Sequence, residues 1–489
     1  MKITKTDFIQ YLQCPESFWL KKKKPEVYPE AEFSLFLQKL ISEGYEVESY
    51  VDELFKDPIL LHNFASPSET KNVIKQGGEI FLQPSFVTEK GVFARIDVLQ
   101  KLEDGNWHLY EVKSSIRVSE KPSHNHIYDT CFQKYVLEEN GFVISKCSVI
   151  HLNGEFIKNG EISSEDLLNI TEITDKVEKS YLSIVNEILS ALKLLDEKPD
   201  LTQCSCLRKT RANHCETFTY FNNALPQPTI YELKRLSEKK INELVDEGNF
   251  GFIDIPTSFE LSAGQQLQYD SYIQGTPIVN KTAIKKTLED LAYPLHFFDY
   301  EAYGSAVPKL DGLRPFEQVP FQVCIHSMQY DGSLTHSEYL ADTLEYPQKM
   351  LKQMQEFTEL KGTFVSWYAS YEMSANSRMI SWMPEHKQYL DYINTHMFDL
   401  EKVFISDYID YRFKGSSSIK KVLPVLVPSL NYHQLNVQDG TTAMDTWDKI
   451  AFNNIPKEEK SLIRQDLLEY CKLDSLAMVE IFKYIKSIL

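Results

Sequence analysis

The sequence predicts an α/β protein built from two α/β domains and a helical linker. Three observations carry this expectation. Strands bracketed by helices occur on both sides of a helix-rich stretch, residues 226–290. A β-hairpin that places carboxylates among its apolar positions lies in the first half, at Ala94–Ser115. An apolar strand with two carboxylates two residues apart, LHFFDYEAYG, opens the second half after Pro294. The expected domains are therefore residues 1–225 and 291–489, joined by 226–290.

Bulk properties bound the chemistry. A chain of 489 residues has room for two or three domains. Hydrophobic residues make up 43% and charged residues 25%, the balance of an ordinary globular protein. No run of about eighteen apolar residues is present, and the N-terminal stretch has no signal-peptide core. The expectation is a cytoplasmic protein with no membrane partner. The net charge of −18 argues against indiscriminate adhesion to nucleic acid but leaves room for a local basic channel.

Taken in order, residues 1–30 read as helix, followed by Lys21–Lys24 and Pro25. Residues 31–56 read as a long helix containing Glu48. Short strands follow at Glu79–Leu82 and Phe86–Glu89. The hairpin has Asp97 in its first strand, a turn at Asp104-Gly105, and a second strand over Trp107–Val112. Residues two apart on a strand share a face, so Glu111 and Lys113 project together and a paired strand can bring Asp97 beside them. Two carboxylates can hold a hard cation through oxygen. Ser123–Glu139 reads as a helix with Asp129 and Gln133 on one face, Phe142–Leu152 as a strand, and Asp166–Leu195 as a long helix.

The eight cysteines divide into two classes. Cys131, Cys147, Cys324 and Cys471 sit singly in apolar patterns and read as small core residues. Cys204, Cys206 and Cys215 lie in a polar loop, QCSCLRKTRANHC, where packing gives no reason for a thiol. Cys14, in YLQCPESFWL, precedes the hairpin. Four such thiols suit a metal cluster or zinc, and His214 in place of one thiolate would favour zinc.

In the second half, Asp299 and Glu301 share a strand face. Val323–Met328 and the stretch to Leu340 read as the next two antiparallel strands, and Gly362–Tyr368 as a further buried strand. Glu372 follows that strand, with Asp399 the rival acid. Tyr470 and Asp474 are i, i+4 on a C-terminal helix and share its face. Four carboxylates would balance two divalent ions, and a tyrosine hydroxyl can position a water by hydrogen bonding.

These patterns carry resemblances. Asp97 with Glu111-x-Lys113 resembles the RecB-like branch of the PD-(D/E)XK nucleases. Glu48 stands where that branch carries an upstream metal-proximal motif. Gln133 with Tyr135 is similar to its glutamine motif. One cysteine before this set and three after it resembles the iron–sulphur members of the branch, which implies that Cys14, Cys204, Cys206 and Cys215 hold a 4Fe–4S cluster. Asp299-x-Glu301, Glu372 and Tyr470-x-x-x-Asp474 resemble the DEDD exonucleases of the DnaQ-like, ribonuclease H-like fold. Together with KGSSSIKKVLPVLVPSLNY and VQDGTTAMDTW, these stretches resemble one bacterial family that fuses the two domain types, strongly in 291–326 and 412–476 and more weakly in 1–220.

The resemblance implies a nuclease using magnesium or manganese at Asp97 and Glu111 and at Asp299, Glu301, Glu372 and Asp474. Lys113, Gln133 and Tyr470 would be their catalytic partners. DNA ends or single-stranded DNA are the implied substrate, with RNA processing, or a binding module with one degenerate centre, as alternatives. Arg314, Gln318, Lys420 and Lys421 are candidate substrate contacts.

Overall fold

In the computed structural model, residues 2–29, 35–61, 65–122, 124–197, 199–432 and 434–489 are described. The expected helix starts at residue 31 and Ser123 lie outside them. The described chain is a mixed α/β fold that separates into two units. The first comprises Met1–Phe33, Leu40–Ala224 and Ala306–Phe316; the second comprises Ser34–Lys39, Leu225–Ser305 and Glu317–Leu489.

At the N-terminus, the single helix expected over residues 1–30 is instead two, Lys5–Gln13 and Pro15–Lys23. Thr4 caps the first by accepting from Asp7 N, and Asp7 bonds back to Thr4 N. Pro15 causes the break. It has no N–H to continue the first helix, and it pushes Cys14 into an extended conformation with φ −158° and ψ 102°. Cys14 is thereby held between the two helices rather than inside one.

The main sheet of the first unit runs in the order Ile59–Leu60, Ile80–Leu82, Val98–Lys101, Trp107–Lys113, Ile144–Leu152, Leu168–Glu172. The hairpin forms in the register Val98↔Tyr110 to Lys101↔Trp107. Asp104 accepts from Asn106 N, and Gly105 turns the chain with φ +85°. Asp97 is not within the strand, as expected, but in the bend just before it. The chain changes partners there. Phe93–Arg95 pairs with Ser85–Val87 in a separate ribbon, whereas Val98–Lys101 joins Ile80–Leu82.

Helices His126–Glu138 and Thr174–Asp196 share the core with this sheet through Cys131, Phe132, Val136, Val149, Ile184 and Ile188. The second helix starts later than the expected Asp166. Leu168–Glu172, which contains the β-branched Ile170 and Thr171, forms an edge strand antiparallel to Ile144–Leu152. The segment Ala306–Phe316 completes this unit. Ala306 and Val307 are buried against a cluster that includes Val47, Val51, Ile80 and Val98, and Lys158 pairs with Asp311 at 2.5 Å.

In the second unit, the sheet order is Leu334–Leu340, Val319–Met328, Leu295–Tyr303, Thr363–Ser366, Met397–Asp399. The first three strands are antiparallel and the last two join in parallel. The central strand is bulged between Glu301 and Ala302. One sheet face, carrying Phe298, Tyr300, Val323 and Ile325, packs with Met350, Met379 and Leu390 from three helices. On the opposite face the C-terminal helix Lys457–Ser487 buries Leu467, Tyr470, Cys471, Asp474, Met478, Ile481 and Ile485. The helical spacing of those positions makes one stripe. Residues 225–305 belong to this unit and contain helices Glu238–Asp246, Ala263–Gln274 and Lys281–Glu289. Among the described residues no helix is long and apolar enough to cross a membrane.

Gly362 makes the turn into Thr363–Ser366 with φ +76°, and a Cβ there would fall on the carbonyl oxygen of Pro294. Both the left-handed backbone and the close approach require glycine. Gly362→Ala is expected to destabilise the second unit by roughly 2–4 kcal/mol, read as a lower urea midpoint at an unchanged slope.

Candidate metal centres

Among the described residues, three groups of side chains are arranged to hold a metal ion: Cys14, Cys204, Cys206 and Cys215; Asp299, Glu301 and Asp474; and Cys324, His326 and His336. Within each group, one ligand atom per residue lies within 4.8 Å of the others.

The four cysteines are all buried. Cys14 comes from the helix break, and the other three come from the loop that follows the helix Thr174–Asp196. Glu16 ties the two segments by accepting from Ser205 N at 3.1 Å and Ser205 Oγ at 3.0 Å. Asn222 Nδ2 reaches Cys204 Sγ at 3.5 Å, and Thr217 Oγ1 lies 3.3 Å from Cys215 Sγ. Hydrogen bonds among the four thiols divide their acidities, pulling Cys204 and Cys215 down and pushing Cys14 and Cys206 up. Such a donor set, soft and clustered, fits a thiolate-bound metal. His214 is outside it: the ring stacks on Phe218, and its Nε2 meets the Lys209 carbonyl.

The acidic triad is assembled from two elements. Asp299 and Glu301 share a face of the central strand, and Asp474 descends from the C-terminal helix. They line a cavity of about 400 Å³ together with Gln318, Tyr371 and Lys420. Gly440, where a Cβ would lie 3.3 Å from Glu301 Oε2, leaves that side of the cavity open. Burial pushes the Asp299 and Glu301 carboxyls well above the usual range, and the neighbouring acids push them further. Burial raises Asp474 to about 6, opposed by hydrogen bonds from Tyr432 and Tyr470. Tyr432 donates its hydroxyl to Asp474 Oδ1 at 2.5 Å. Lys420 lies near both tyrosine rings and donates to the Gln438 carbonyl. Hard oxygen donors that repel one another in a buried site fit a divalent cation.

Glu372 is close but outside the triad. It sits in the first turn of the helix Ser370–Trp382, 2% exposed, with Oε2 lacking a hydrogen-bond partner, and burial raises it to about 7. Asp399, its rival, accepts from Tyr368 N and Glu401 N and so fixes the start of the helix Glu401–Ser406. Gln318 and Lys420 line the cavity, whereas Lys421 is exposed and Arg314 pairs with Glu155 in the first unit.

The hairpin set is also brought together. Glu111 is wholly buried and receives Lys5 Nζ at 2.6 Å and Lys113 Nζ at 2.7 Å, while Gln133 donates to its second oxygen. Lys113 also pairs with Asp129 at 2.5 Å. Asp97 accepts from Val112 N at 2.7 Å. Burial alone would raise Glu111, but Lys113 and Lys5 overrule it and hold the carboxyl below the usual range. Asp97 is pushed up to about 7 by burial and by Glu111. Glu48, on the helix Leu35–Glu53, is raised by burial, then by Asp52 and Glu111, and accepts from Gln83 at 3.4 Å.

Several members of these sites carry no signal in the sequence reading. Lys5 and Tyr432 lie far along the chain from the acids they bond. Cys324 and Cys471, expected to be unrelated core residues, both make polar contacts at the interface of strand and C-terminal helix: Cys324 Sγ with His336 Nε2 and Ser475 Oγ, and Cys471 Sγ with the Asp299 carbonyl. The pairing of the two strands makes His336 the diagonal neighbour of Cys324, and local spacing does not reveal it.

With this geometry in place, comparison with known proteins adds a partial match. Residues 296–418 match the model of a family described as a domain of unknown function (DUF2779). That range holds Asp299, Glu301, Glu372, Cys324, His326 and His336, but not Tyr470 or Asp474. The chain is also similar to the uncharacterized protein UU173 of Ureaplasma parvum serovar 3, with 27% identity over 40% of this chain and 31% of the relative. The uncharacterized protein MG366 of Mycoplasma genitalium is 24% identical over 51% of this chain and 39% of its own length. Its Mycoplasma pneumoniae homolog is 26% identical over 44% and 35%. The chain thus spans about a third of the length of the curated relatives it matches.

The raised carboxyls of the triad set a pH dependence. Their folded-state pKa values exceed those of the unfolded chain, so the metal-free folded protein binds more protons. The triad's own contribution to stability is fullest below about pH 4 and is lost as pH rises through the folded values, Asp474 at about 6 among them. A bound cation must displace those protons. Manganese affinity is therefore expected to increase between about pH 5 and pH 7.5, with proton release visible as a buffer-dependent heat in titration calorimetry. An affinity independent of pH would contradict this assignment.

Proposed function

We propose that this protein is a metal-dependent nuclease that hydrolyses phosphodiester bonds at DNA ends or in single-stranded DNA. The observation that carries the reading is the convergence of Asp299, Glu301 and Asp474 on one open cavity, with Tyr470 and Lys420 on its wall. The strand order of the second unit, three antiparallel strands continued by two parallel ones, supports a ribonuclease H-like DEDD exonuclease domain over residues 291–489. The hairpin and the helix bearing Gln133 support a RecB-like domain over residues 1–225, and residues 226–290 are taken as the helical connection.

Magnesium or manganese held by Asp299, Glu301 and Asp474, with Glu372 as the fourth acid, would supply Lewis acidity toward a phosphate and lower the pKa of a bound water. The chain's own residues orient the reaction. Tyr470 offers a hydroxyl that can hold a water in line with the phosphate. Lys420 places positive charge where a phosphate would enter, and Gln318 offers a side-chain amide for hydrogen bonding. At the first centre, Asp97 and Glu111 would supply oxygen ligands, and Lys113 would stabilise charge developing on the phosphate. Cys14, Cys204, Cys206 and Cys215 would hold a 4Fe–4S cluster, zinc being the alternative, joining the two ends of the first domain.

A second reading rests on Glu111. Its two oxygens already bond Lys5, Lys113 and Gln133. This favours a first centre that grips nucleic acid and delivers it to the second without cutting.

End-labelled single- and double-stranded DNA, with RNA of the same sequence in parallel, tests both readings. Asp299→Asn is expected to lower manganese-dependent cleavage by about 10²–10³-fold, the scale of losing one transition-state-stabilising group. If Lys113→Ala removes a distinct part of the cleavage, both centres cut; if it is silent, the first centre is a binding module. Wild type inert on every substrate would overturn the nuclease reading. Independently, anaerobically purified protein is expected to be brown and to carry iron and sulphide. Colourless protein carrying zinc at these cysteines would replace the cluster with a zinc site.

A further inference from the structure

We infer that Cys324, His326 and His336 form a binding site for a single zinc-class ion beneath the C-terminal helix, distinct from both the acidic triad and the four-cysteine group. Cys324 and His326 are two apart on Val319–Met328 and share its face. The antiparallel register sets His336 opposite His326 and Glu338 opposite Cys324. One thiol, two imidazoles and a carboxylate therefore occupy a single patch on two adjacent strands. Cys324 Sγ lies 3.0 Å from His336 Nε2, the two imidazole centroids are 4.5 Å apart, and Glu338 Oε2 is 3.5 Å from His336 Nε2. Ligands bound tetrahedrally to zinc, at about 2.3 Å for sulphur and about 2.0 Å for nitrogen, stand about 3.5 Å apart. The thiol and the imidazole are within about half an ångström of that spacing.

The surroundings match a ligand set better than a packed core. Cys324 is 0% exposed and His326 3%, while His336 is half-buried and open at the sheet edge. Burying polar rings in an apolar layer is costly unless they are satisfied, and apolar residues would fill the same space without that cost. Ser475 bonds both His326 Nδ1 at 2.9 Å and Cys324 Sγ at 3.2 Å. It is the kind of outer partner that orients a metal-binding imidazole. Glu338, opposite Cys324 in the register, stands with water as the source of the fourth ligand. Thiolate and imidazole select a borderline ion such as zinc over magnesium.

The site is placed to act on its neighbour. Cys324 is the register partner of Asp299, and Ser475 follows Asp474 directly. An ion bound here would fix the C-terminal helix against the strand that carries the first acid, holding Asp474 in register with Asp299. Its role is that of a positioning site, with no group on the substrate.

The test uses the full-length chain and needs neither nucleic acid nor activity, so it stands apart from the nuclease reading. Wild type, Cys324→Ser and His336→Ala are purified identically, and zinc and iron are measured by plasma mass spectrometry after exposure to excess magnesium. Wild type is expected to retain about one equivalent of zinc more than either variant, with iron unchanged. Cobalt replacement should add a single-thiolate charge-transfer band that His336→Ala removes. Equal zinc in wild type and in the folded variants overturns the proposal. His336 is half-buried at the sheet edge, so His336→Ala decides the matter if Cys324→Ser fails to fold. Retention of the band in that variant would likewise overturn it.

Discussion

Three carboxyl groups brought within 4.8 Å of one another in a buried site cannot all ionise without a compensating cation. Most of the second unit is arranged around that constraint. The central strand supplies two of the acids at the spacing that puts near neighbours on one face, and the bulge after Glu301 shifts the register there. The C-terminal helix buries an apolar stripe that fixes its rotation, and the third acid follows from that rotation. Tyr432 and Tyr470 donate hydrogen bonds to Asp474, partly offsetting the repulsion. A site so crowded is at its least favourable when empty at neutral pH, which is the energetic condition for strong, proton-coupled cation binding.

The first unit meets the same difficulty with the opposite device. Glu111 is buried as completely, yet two ammonium groups keep it charged. Lys5 reaches it from the N-terminal helix and Lys113 from the same strand. The acids of the second unit repel one another and are suited to a cation from solution, whereas Glu111 carries its counter-charges within the chain. A metal entering there would bind beside ammonium groups, which opposes it electrostatically. The two sets of acids therefore differ in how their charge is compensated.

Much of this was legible where function follows local periodicity. Asp299 with Glu301, Glu111 with Lys113, and Tyr470 with Asp474 are same-face pairs at strand or helix spacing, and each pair is found together in the fold. The three cysteines in a polar loop announced themselves by lacking a packing reason. Other members were invisible because only tertiary structure makes them neighbours. Lys5 is an ordinary lysine at a helix start, and Tyr432 an ordinary aromatic in a loop. Cys324 in an apolar strand has the same local pattern whether or not a histidine faces it from the next strand. The edge strand Leu168–Glu172 was read as the start of a helix because it leads directly into one. The break at Cys14 is signalled locally by Cys14-Pro15, against a helical pattern that continues on both sides.

The segment Ala306–Phe316 has a consequence for how this chain is made. Val307 is sealed into a cluster with Val47, Val51 and Ile80, so the first unit's packing is closed by residues translated long after its last cysteine. Synthesis runs from the N-terminus, and the cluster stays incomplete until the ribosome has released that segment. The nascent first unit must wait with an apolar notch open to water through some eighty further residues of synthesis, the stretch from Leu225 to Ser305. A gene cut at residue 225 would make that wait permanent.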